Sequence, residues 1–291
     1  PRIATTTANA SVLPFVDRYL SDLEAELADA GITAPLLVFT SAGGTCSVQT
    51  ARKYPVRILE SGPVGGVTAA KVFADAHQWT DMLVFDMGGT TAKASLTSRG
   101  EILTTHEFEV APTHKLKRGS GFPVRAPVVD MIEVGAGGGS IARINRLGLI
   151  SVGPQSAGAQ PGPACYGQGG CEPTVTDADL VLGLLAPDSF LGGRMRLDVD
   201  AAWQAIKEVI AEPLGLSVPE AARAIHTVAN EHMANAARVH ASERGKALPE
   251  FRLFATGGAG PVHACAVATA IGVDTIVIPT GAGVASAFGF L

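Results

Sequence analysis

The residues best suited to chemistry in this sequence follow a short apolar strand. Leu83–Phe85 leads into Asp86, and the corner Gly88–Thr91 comes directly after it. Two consecutive glycines carry no Cβ atoms and accept positive φ, so successive backbone N–H groups can point at one anion, phosphate above all. The two threonine hydroxyls add further donors at the same corner.

Asp86 decides what kind of phosphate site this corner predicts. A carboxylate beside a polyphosphate is repelled unless a cation lies between the two groups. The acid therefore indicates Mg²⁺, held directly or through water, or an oriented water nucleophile. The alternative, a β-hairpin whose Asp-Met-Gly-Gly sequence only makes a turn, stays open on these residues alone.

A second glycine corner, Thr256–Gly260, lies between an apolar strand and a helix that we expect to begin near Pro261. The N-terminal dipole of that helix favours a negative group above the turn. No GxxxxGK[ST] sequence occurs, and no GxGxxG follows the relevant strands, so the sequence argues against the P-loop and the dinucleotide-binding fold.

Composition narrows the class of protein. The 291 residues are 47% hydrophobic and 17% charged, which predicts a packed core. The net charge is −5 and no basic run exceeds the Lys115–Arg118 cluster, so we expect no nucleic-acid partner. No signal peptide or membrane-length apolar run occurs, which predicts a cytoplasmic protein without a membrane contact.

The four cysteines show neither CxxC nor zinc-site spacing. Cys165 and Cys171 are close enough in sequence to bridge a short loop, but free thiols in a reducing cytosol are the expectation. The chain opens without Met and stops on an apolar stretch, from which we expect a piece of a longer protein.

The chain pattern predicts an α/β protein with a mixed sheet. The expected helices are residues 12–30, a helix starting at 61–63, residues 177–185 and 199–211, and a long helix capped by Ser217 and Glu220 and ended by Gly245. We expect a buried strand within 35–45, an antiparallel meander over 81–110, a long ordered loop over 148–173 and a parallel βαβ unit near the end.

Seven ordered motifs across nearly the whole chain resemble the hydantoinase A / 5-oxoprolinase family, which includes N-methylhydantoinases and ATP-dependent carboxylase subunits. They are ESGPVGGV (60–67), FDMGGTTAKASL (85–96), VDMIEVGAGGGSIARI (129–144), PGPACYG (161–167), PTVTDADLVLG (173–183), FATGGAGPVHACAVA (254–268) and the terminal PTGAGVASAFGFL.

The resemblance implies an actin-like ATPase fold with two ribonuclease-H-like lobes. Residues 1–80 would complete the first lobe. Residues 81–291 would form the second lobe, with a helical and loop insertion at about 145–250.

The resemblance also implies ATP and Mg²⁺ as cofactors and assigns their ligands. Asp86 becomes the catalytic and metal-binding carboxylate, and the ESGPVGG motif becomes a cleft loop. The residues implied to bind the nucleotide are Gly88, Gly89, Thr90, Thr91, Gly137, Gly138, Gly139, Gly257, Gly258 and Gly260.

The implied reaction is ATP-dependent hydrolysis of a cyclic amide (hydantoin, 5-oxoproline or a lactam), with a partner subunit or domain of the hydantoinase B type. An ATP-dependent carboxylase subunit and a non-catalytic binding module on the same scaffold are the alternatives. The first Asp-Gly-Gly-Thr phosphate loop usual in the family has no counterpart before Asp86, so this chain alone is expected to bind nucleotide weakly.

Other candidates carry weaker expectations. The long helix places His226, His232 and His240 at spacings of 6 and 8, which do not pair them at i, i+4, so a metal role is not favoured. A divalent site at His106, His114 and Asp130 is not demanded by their spacing. His263 either approaches the cleft or packs in the core. Glu133 either binds substrate or ends a strand. Cys165 has no identified base that would activate it as a nucleophile, so we do not expect it to be catalytic.

Overall fold

The computed structural model describes residues 2–110 and 121–291, which fall into two compact units. The first unit contains residues 1–80, 95–130 and 285–291, and the second contains residues 81–94 and 131–284. His114 and the Lys115–Arg118 cluster lie outside the described residues. The architecture is α/β with mixed sheets, as the sequence predicts.

The helices are distributed over both units. Those of the first unit are α1 (Arg2–Asp29), α2 (Val48–Lys53), α3 (Ser61–Ala76) and α9 (Ala285–Phe288). Those of the second unit are α4 (Val175–Val181), α5 (Val199–Ile206), α6 (Glu212–Leu214), α7 (Val218–Ser242) and α8 (Gly260–Ile271). A π turn over Lys207–Ala211 joins α5 to α6.

The strands are mostly short. They are β1 (Leu37–Phe39), β2 (Thr45–Ser47), β3 (Met82–Met87), β4 (Ala92–Ser98), β5 (Glu101–Ile102), β6 (Thr104–Thr105), β7 (Phe108–Val110), β8 (Phe122–Val124), β9 (Val128–Val129), β10 (Met131–Val134), β11 (Ser140–Ile144), β12 (Ile150–Ser156), β13 (Arg252–Thr256) and β14 (Thr275–Val277).

The main sheet has the strand order β10–β4–β3–β13–β14. Strands β3, β13 and β14 are parallel, and β13 is joined to β14 by α8, so the predicted parallel βαβ unit is confirmed. Leu83, Phe254 and Leu253 are fully buried, which is why these strands read as continuous apolar runs. Beyond Ala94, β4 continues into the first unit, where it pairs with β5.

Helix α7 shows how local sequence fixes one element. The side chain of Ser217 accepts from the Glu220 backbone N–H, and the Glu220 carboxylate accepts from the Ser217 N–H in return, which confirms the predicted capping box. Ile225, Ala229 and Met233 lie on one buried face at helical spacing.

Several sequence predictions are wrong in their bounds. Helix α1 begins at Arg2 rather than at residue 12, since the Thr-rich start hid its periodicity. The predicted buried strand over 35–45 is the three-residue, partly exposed β1 paired with β2. The predicted loop over 148–173 contains β12, and the later part of the 81–110 meander leaves the main sheet for short two-stranded pairs.

The start of α4 is held by a buried carboxylate. Asp177 accepts hydrogen bonds from the Thr174 N–H and hydroxyl at 2.8 and 2.7 Å, and from the Cys165 N–H at 2.8 Å. The Ala164 N–H adds a longer contact at 3.3 Å. Two motifs of the sequence, PGPACYG and PTVTDADLVLG, are therefore joined through one side chain.

Replacing Asp177 with Ala leaves several buried donors without an acceptor. Because each such donor costs about 1–3 kcal/mol, we expect the free energy of unfolding to fall by about 3 kcal/mol or more. Chemical denaturation measures this, with Asp200→Ala, at an exposed position of α5, as the control that changes stability by about 0.5 kcal/mol or less. Equal small losses in both variants would contradict the role given to Asp177.

Candidate functional site

The two glycine corners meet because their strands are parallel neighbours. In the ladder between β3 and β13, Asp86 pairs with Thr256, so both corners follow at the same edge of the sheet. The Ala259 N–H donates to the Met87 carbonyl at 3.0 Å and ties the second corner to the first. The structure thus brings together the two segments that the sequence identified separately.

The first corner is a tight hairpin between β3 and β4, and we call residues 88–91 the phosphate hairpin. It is closed by a 3.1 Å hydrogen bond from the Gly88 N–H to the Thr91 carbonyl. At its tip, Gly89 and Thr90 are exposed. Among the residues that the structure describes, no acceptor takes the N–H groups of Gly89 and Thr90, so both are available to an external anion.

A glycine-rich turn between β10 and β11 supports the phosphate hairpin from below. The Gly138 N–H donates to the Gly88 carbonyl at 3.1 Å, and the Gly139 N–H donates to the Gly89 carbonyl at 2.6 Å. A Cβ atom on Gly137 would lie 2.6 Å from the Thr90 carbonyl carbon, so only glycine permits this approach.

The sequence predicts that Gly137, Gly138 and Gly139 bind the cofactor. In the structure all three are buried and their N–H groups donate within the protein, that of Gly137 to the Ser140 hydroxyl at 2.8 Å. The resemblance alone implied cofactor binding by these glycines, and in the structure their N–H groups are already paired. Any contribution of these glycines to cofactor binding goes through the position of the phosphate hairpin.

The second corner needs glycine for a different reason. Gly257 has φ +83°, and a Cβ atom there would lie 2.5 Å from the Asp86 Oδ1 atom. Gly258 is exposed with open space around it, whereas Gly260 is buried at the start of α8. At the start of α8 the Ala259 N–H donates to the Met87 carbonyl and the Val262 N–H donates to the Ala259 carbonyl, while Pro261 has no N–H, so the helix dipole is its main contribution to this edge of the sheet.

Asp86 is half-buried, and no described residue donates a hydrogen bond to its carboxylate. Burial raises the pKa of Asp86, while the nearby charge of Lys93 opposes that rise. An under-coordinated carboxylate at the edge of an anion-binding hairpin fits a hard divalent cation such as Mg²⁺, which takes oxygen ligands.

Sequence reasoning missed Lys93. Its Nζ atom donates to the Thr91 hydroxyl at 3.3 Å and forms an ion pair with Glu133 at 3.2 Å. The available signal was the alternation along β4, which puts residues 91 and 93 on one face. Glu133, predicted to bind substrate or end a strand, lies at the end of β10 and holds this lysine.

Two other predicted features have a packing role. The ESGPVGG motif was expected to form a cleft loop, but it is the start of α3. There a Cβ atom on Gly65 would lie 2.6 Å from the Phe290 ring, so the motif serves helix packing within the first unit. Cys165 is fully buried, and burial together with the adjacent Asp177 carboxylate raises the pKa of its thiol, which makes it a poor nucleophile.

The described parts of the chain carry two further findings on sequence expectations. All four cysteines are free, and no described helix has the length and apolar character needed to cross a membrane. His106 is exposed and takes part in no group of three potential metal ligands within the described residues.

The comparison with known proteins agrees with the motif pattern. The model of the hydantoinase/oxoprolinase family matches residues 2–291, so the chain belongs to the hydantoinase/oxoprolinase family. The caprolactamase subunit alpha of Pseudomonas jessenii is 38% identical over 288 residues, which are 99% of this chain and 40% of that protein. The 5-oxoprolinase of Saccharomyces cerevisiae is 34% identical over an alignment of 300 residues, gaps included, which covers 99% of this chain and 22% of that protein.

Two solved structures share the fold. The nucleotide-free structure of acetone carboxylase, an enzyme of ATP-dependent acetone carboxylation, has a TM-score of 0.83 at 33% identity over 93% of this chain and 37% of that chain. The ATP-dependent caprolactamase of Pseudomonas jessenii has a TM-score of 0.80 at 38% identity over 99% of this chain and 40% of that chain. The chain thus spans less than half the length of these relatives.

Asp86 gives a prediction about stability that does not depend on any ligand. Folding raises the pKa of the Asp86 carboxyl group, so the charged carboxylate is less favourable in the folded state than in the unfolded state. The contribution of Asp86 to the free energy of unfolding is therefore smaller at neutral pH than at low pH, where the group is protonated. We expect Asp86→Asn to raise the midpoint of thermal unfolding at pH 7.

The difference between Asp86→Asn and the parent should narrow as the pH falls below the folded-state pKa, because the carboxyl group is then neutral like the amide. Calorimetry over a pH series checks this, with Asp22→Asn on the exposed surface of α1 as the matched control. A lower unfolding midpoint for Asp86→Asn at pH 7 would contradict the electrostatic account of this site.

Proposed function

We propose that this chain is the nucleotide-binding part of an ATP-dependent hydrolase that opens cyclic amides. The observation that carries the proposal is the pair of exposed, unpaired N–H groups of Gly89 and Thr90 beside the half-buried carboxylate of Asp86. Family membership and the 38% identity to a caprolactamase subunit support it. The same proposal assigns the chain an actin-like fold, with the two lobes expected from the sequence.

In this proposal the phosphate hairpin holds the polyphosphate. The backbone donors of Gly89 and Thr90 bind phosphate oxygens without adding charge of their own, with Gly88 and Thr91 closing the hairpin behind them. The first turn of α8 with Gly257, Gly258 and Gly260 forms the wall on the adenosine side. Lys93 keeps the Thr91 hydroxyl in place and partly offsets the charge of Asp86. Each of these groups is fixed before a ligand arrives, which is the form of electrostatic stabilisation that phosphoryl transfer uses.

Mg²⁺ is the cation proposed for Asp86, since its carboxylate has no protein donor to replace. ATP supplies a phosphoryl group that makes the ring carbonyl of the amide a better target for water. In this proposal the described residues of the chain position the phosphates and neutralise charge, and none of them is assigned as the base for the water that opens the ring. A partner subunit or domain of the hydantoinase B type, in a cytoplasmic complex, is proposed to supply that step.

A carboxylase subunit is the second candidate. This candidate is supported by the acetone carboxylase structure, which has a TM-score of 0.83, compared with 0.80 for the caprolactamase structure. Both candidates use the same phosphate hairpin, so substrate trials and not the nucleotide site separate them. The fuller coverage of this chain by the caprolactamase, 99% against 93% for acetone carboxylase, is the reason for preferring the hydrolase as the first candidate.

Phosphate release by the intact protein with its partner subunit tests the proposal. Hydantoins, 5-oxoproline and lactams are offered with ATP and Mg²⁺, beside ketones with bicarbonate. We expect a cyclic amide to accelerate phosphate release, and Asp86→Asn to reduce that rate by about 100-fold or more. Release driven only by a ketone and bicarbonate would select the carboxylase instead.

Gly89→Val separates binding from folding. A Cβ atom at Gly89 meets nothing within 4 Å and its φ is not positive, so valine fits the protein and obstructs only a ligand. The matched control is Arg146→Val, in the exposed hairpin turn between β11 and β12. ATP binding that survives in Gly89→Val would contradict the assignment of the phosphate hairpin. A parent protein that binds ATP but releases phosphate with none of the substrates would favour the non-catalytic binding module.

A further inference from the structure

A cluster of polar side chains outside the phosphate hairpin joins three helices of the second unit. Asp179 comes from α4, His226 and Asn230 from α7, and His263 from α8. Asp179 and His263 have side chains 3% and 0% exposed, and His226 has 14%. We call these four residues the α4–α7–α8 cluster.

Both histidines approach the one carboxylate. His226 Nδ1 lies 2.7 Å from Asp179 Oδ1, and His263 Nε2 lies 3.2 Å from Asp179 Oδ2. The two imidazole rings stack with their centroids 4.7 Å apart and their planes at 18°. Two protonated rings in that arrangement would repel each other, and a single carboxylate cannot balance both charges.

The hydrogen-bonding pattern leaves one nitrogen atom of His263 without a partner. Its Nδ1 atom donates to the Asn230 side-chain oxygen at 2.8 Å, since that oxygen only accepts. Its Nε2 atom is fully buried and forms no hydrogen bond, although Asp179 Oδ2 lies only 3.2 Å away. In a neutral His263 this atom carries a lone pair beside an anion, an arrangement that a cation bound to both atoms stabilises.

The chemistry of the group matches a known class of cation. One atom from each of Asp179, His226 and His263 lies within 4.8 Å of the others. Two imidazoles and one carboxylate are a ligand set of zinc sites that keep an open position. The bond from His263 to Asn230 is the second contact that metal-binding histidines make through their other ring nitrogen.

We propose that Asp179, His226 and His263 bind one divalent transition-metal ion of the Zn²⁺ class, through the Asp179 carboxylate, His226 Nδ1 and His263 Nε2. Binding releases to solvent the proton that His226 Nδ1 shares with Asp179. The nitrogen ligands distinguish this site from the Mg²⁺ proposed at Asp86, because Mg²⁺ selects oxygen.

The position of the site gives the ion a structural role. His263 lies in the first turn of α8, directly after the corner Thr256–Gly260, and Asp179 lies on α4, whose Thr176 N–H donates to the Gly138 carbonyl at 2.7 Å. An ion here fixes the helices beside both glycine corners. This group could not be predicted from the sequence, because spacing along α7 compares His226 only with residues of its own helix.

Cobalt binding tests the proposal on the intact protein after chelator treatment. We expect one Co²⁺ per chain, with visible d–d absorption of nitrogen and oxygen coordination, displaced by Zn²⁺. His226→Gln and His263→Gln should each weaken Co²⁺ binding by at least about tenfold, because an amide can donate a hydrogen bond to Asp179 but is a poor metal ligand. Asn230→Leu should weaken it by about 10–100-fold.

The matched control is His232→Gln, at an exposed position of the same helix, which should bind Co²⁺ like the parent. Circular dichroism checks that each variant is folded, and the parent alone is decisive if the buried variants are not. A parent protein that binds no Co²⁺ or Zn²⁺, or whose binding is unchanged in His226→Gln, overturns the proposal and leaves a metal-free hydrogen-bonded cluster.

Discussion

The parallel pairing of β3 with β13 is the constraint on which the candidate site depends. Asp86 and Thr256 occupy the same register position, so two glycine corners 170 residues apart in sequence follow their strands at one edge of one sheet. The two corners lie so close together that glycine is needed at position 257, because a side chain there would clash with Asp86. The packing of these apolar strands in the core therefore determines where the two glycine corners lie.

Two neighbouring carboxylates on α4 show how burial separates structural from functional groups. Asp177 is surrounded by backbone N–H and hydroxyl donors and holds the PGPACYG loop. Burial raises the pKa of Asp179, but the close approach of His226 and His263 lowers it below its ordinary value. Asp86 has only the nearby charge of Lys93 against its burial. Unlike Asp177, the two carboxylates proposed to hold cations accept from no backbone N–H of the described residues.

Local sequence patterns predicted the elements whose causes are local. The capping box of Ser217 and Glu220, the end of α7 and the strand–helix–strand unit after Arg252 follow from spacing and propensity. The tight corner after β3 was predicted from its two consecutive glycines, and whether it binds phosphate stays a prediction. Family resemblance added the reaction class, which no periodicity could indicate.

What could not be predicted depends on contacts between distant segments. Lys93 forms its ion pair with Glu133 on another strand, and the N–H groups of Gly138 and Gly139 donate to carbonyls of the hairpin. The α4–α7–α8 cluster joins residues 47 and 33 positions apart. Short partly exposed strands such as β1 were mistaken for core because apolar composition alone does not distinguish a covered strand from an edge.

Nucleotide binding at the phosphate hairpin is tested most directly by a crystal structure of the intact protein with Mg²⁺ and a non-hydrolysable ATP analogue. We expect phosphate oxygens within about 3.2 Å of the Gly89 and Thr90 nitrogen atoms, with Mg²⁺ bound to Asp86 directly or through water. A nucleotide bound elsewhere, with the phosphate hairpin in contact with solvent alone, would contradict it.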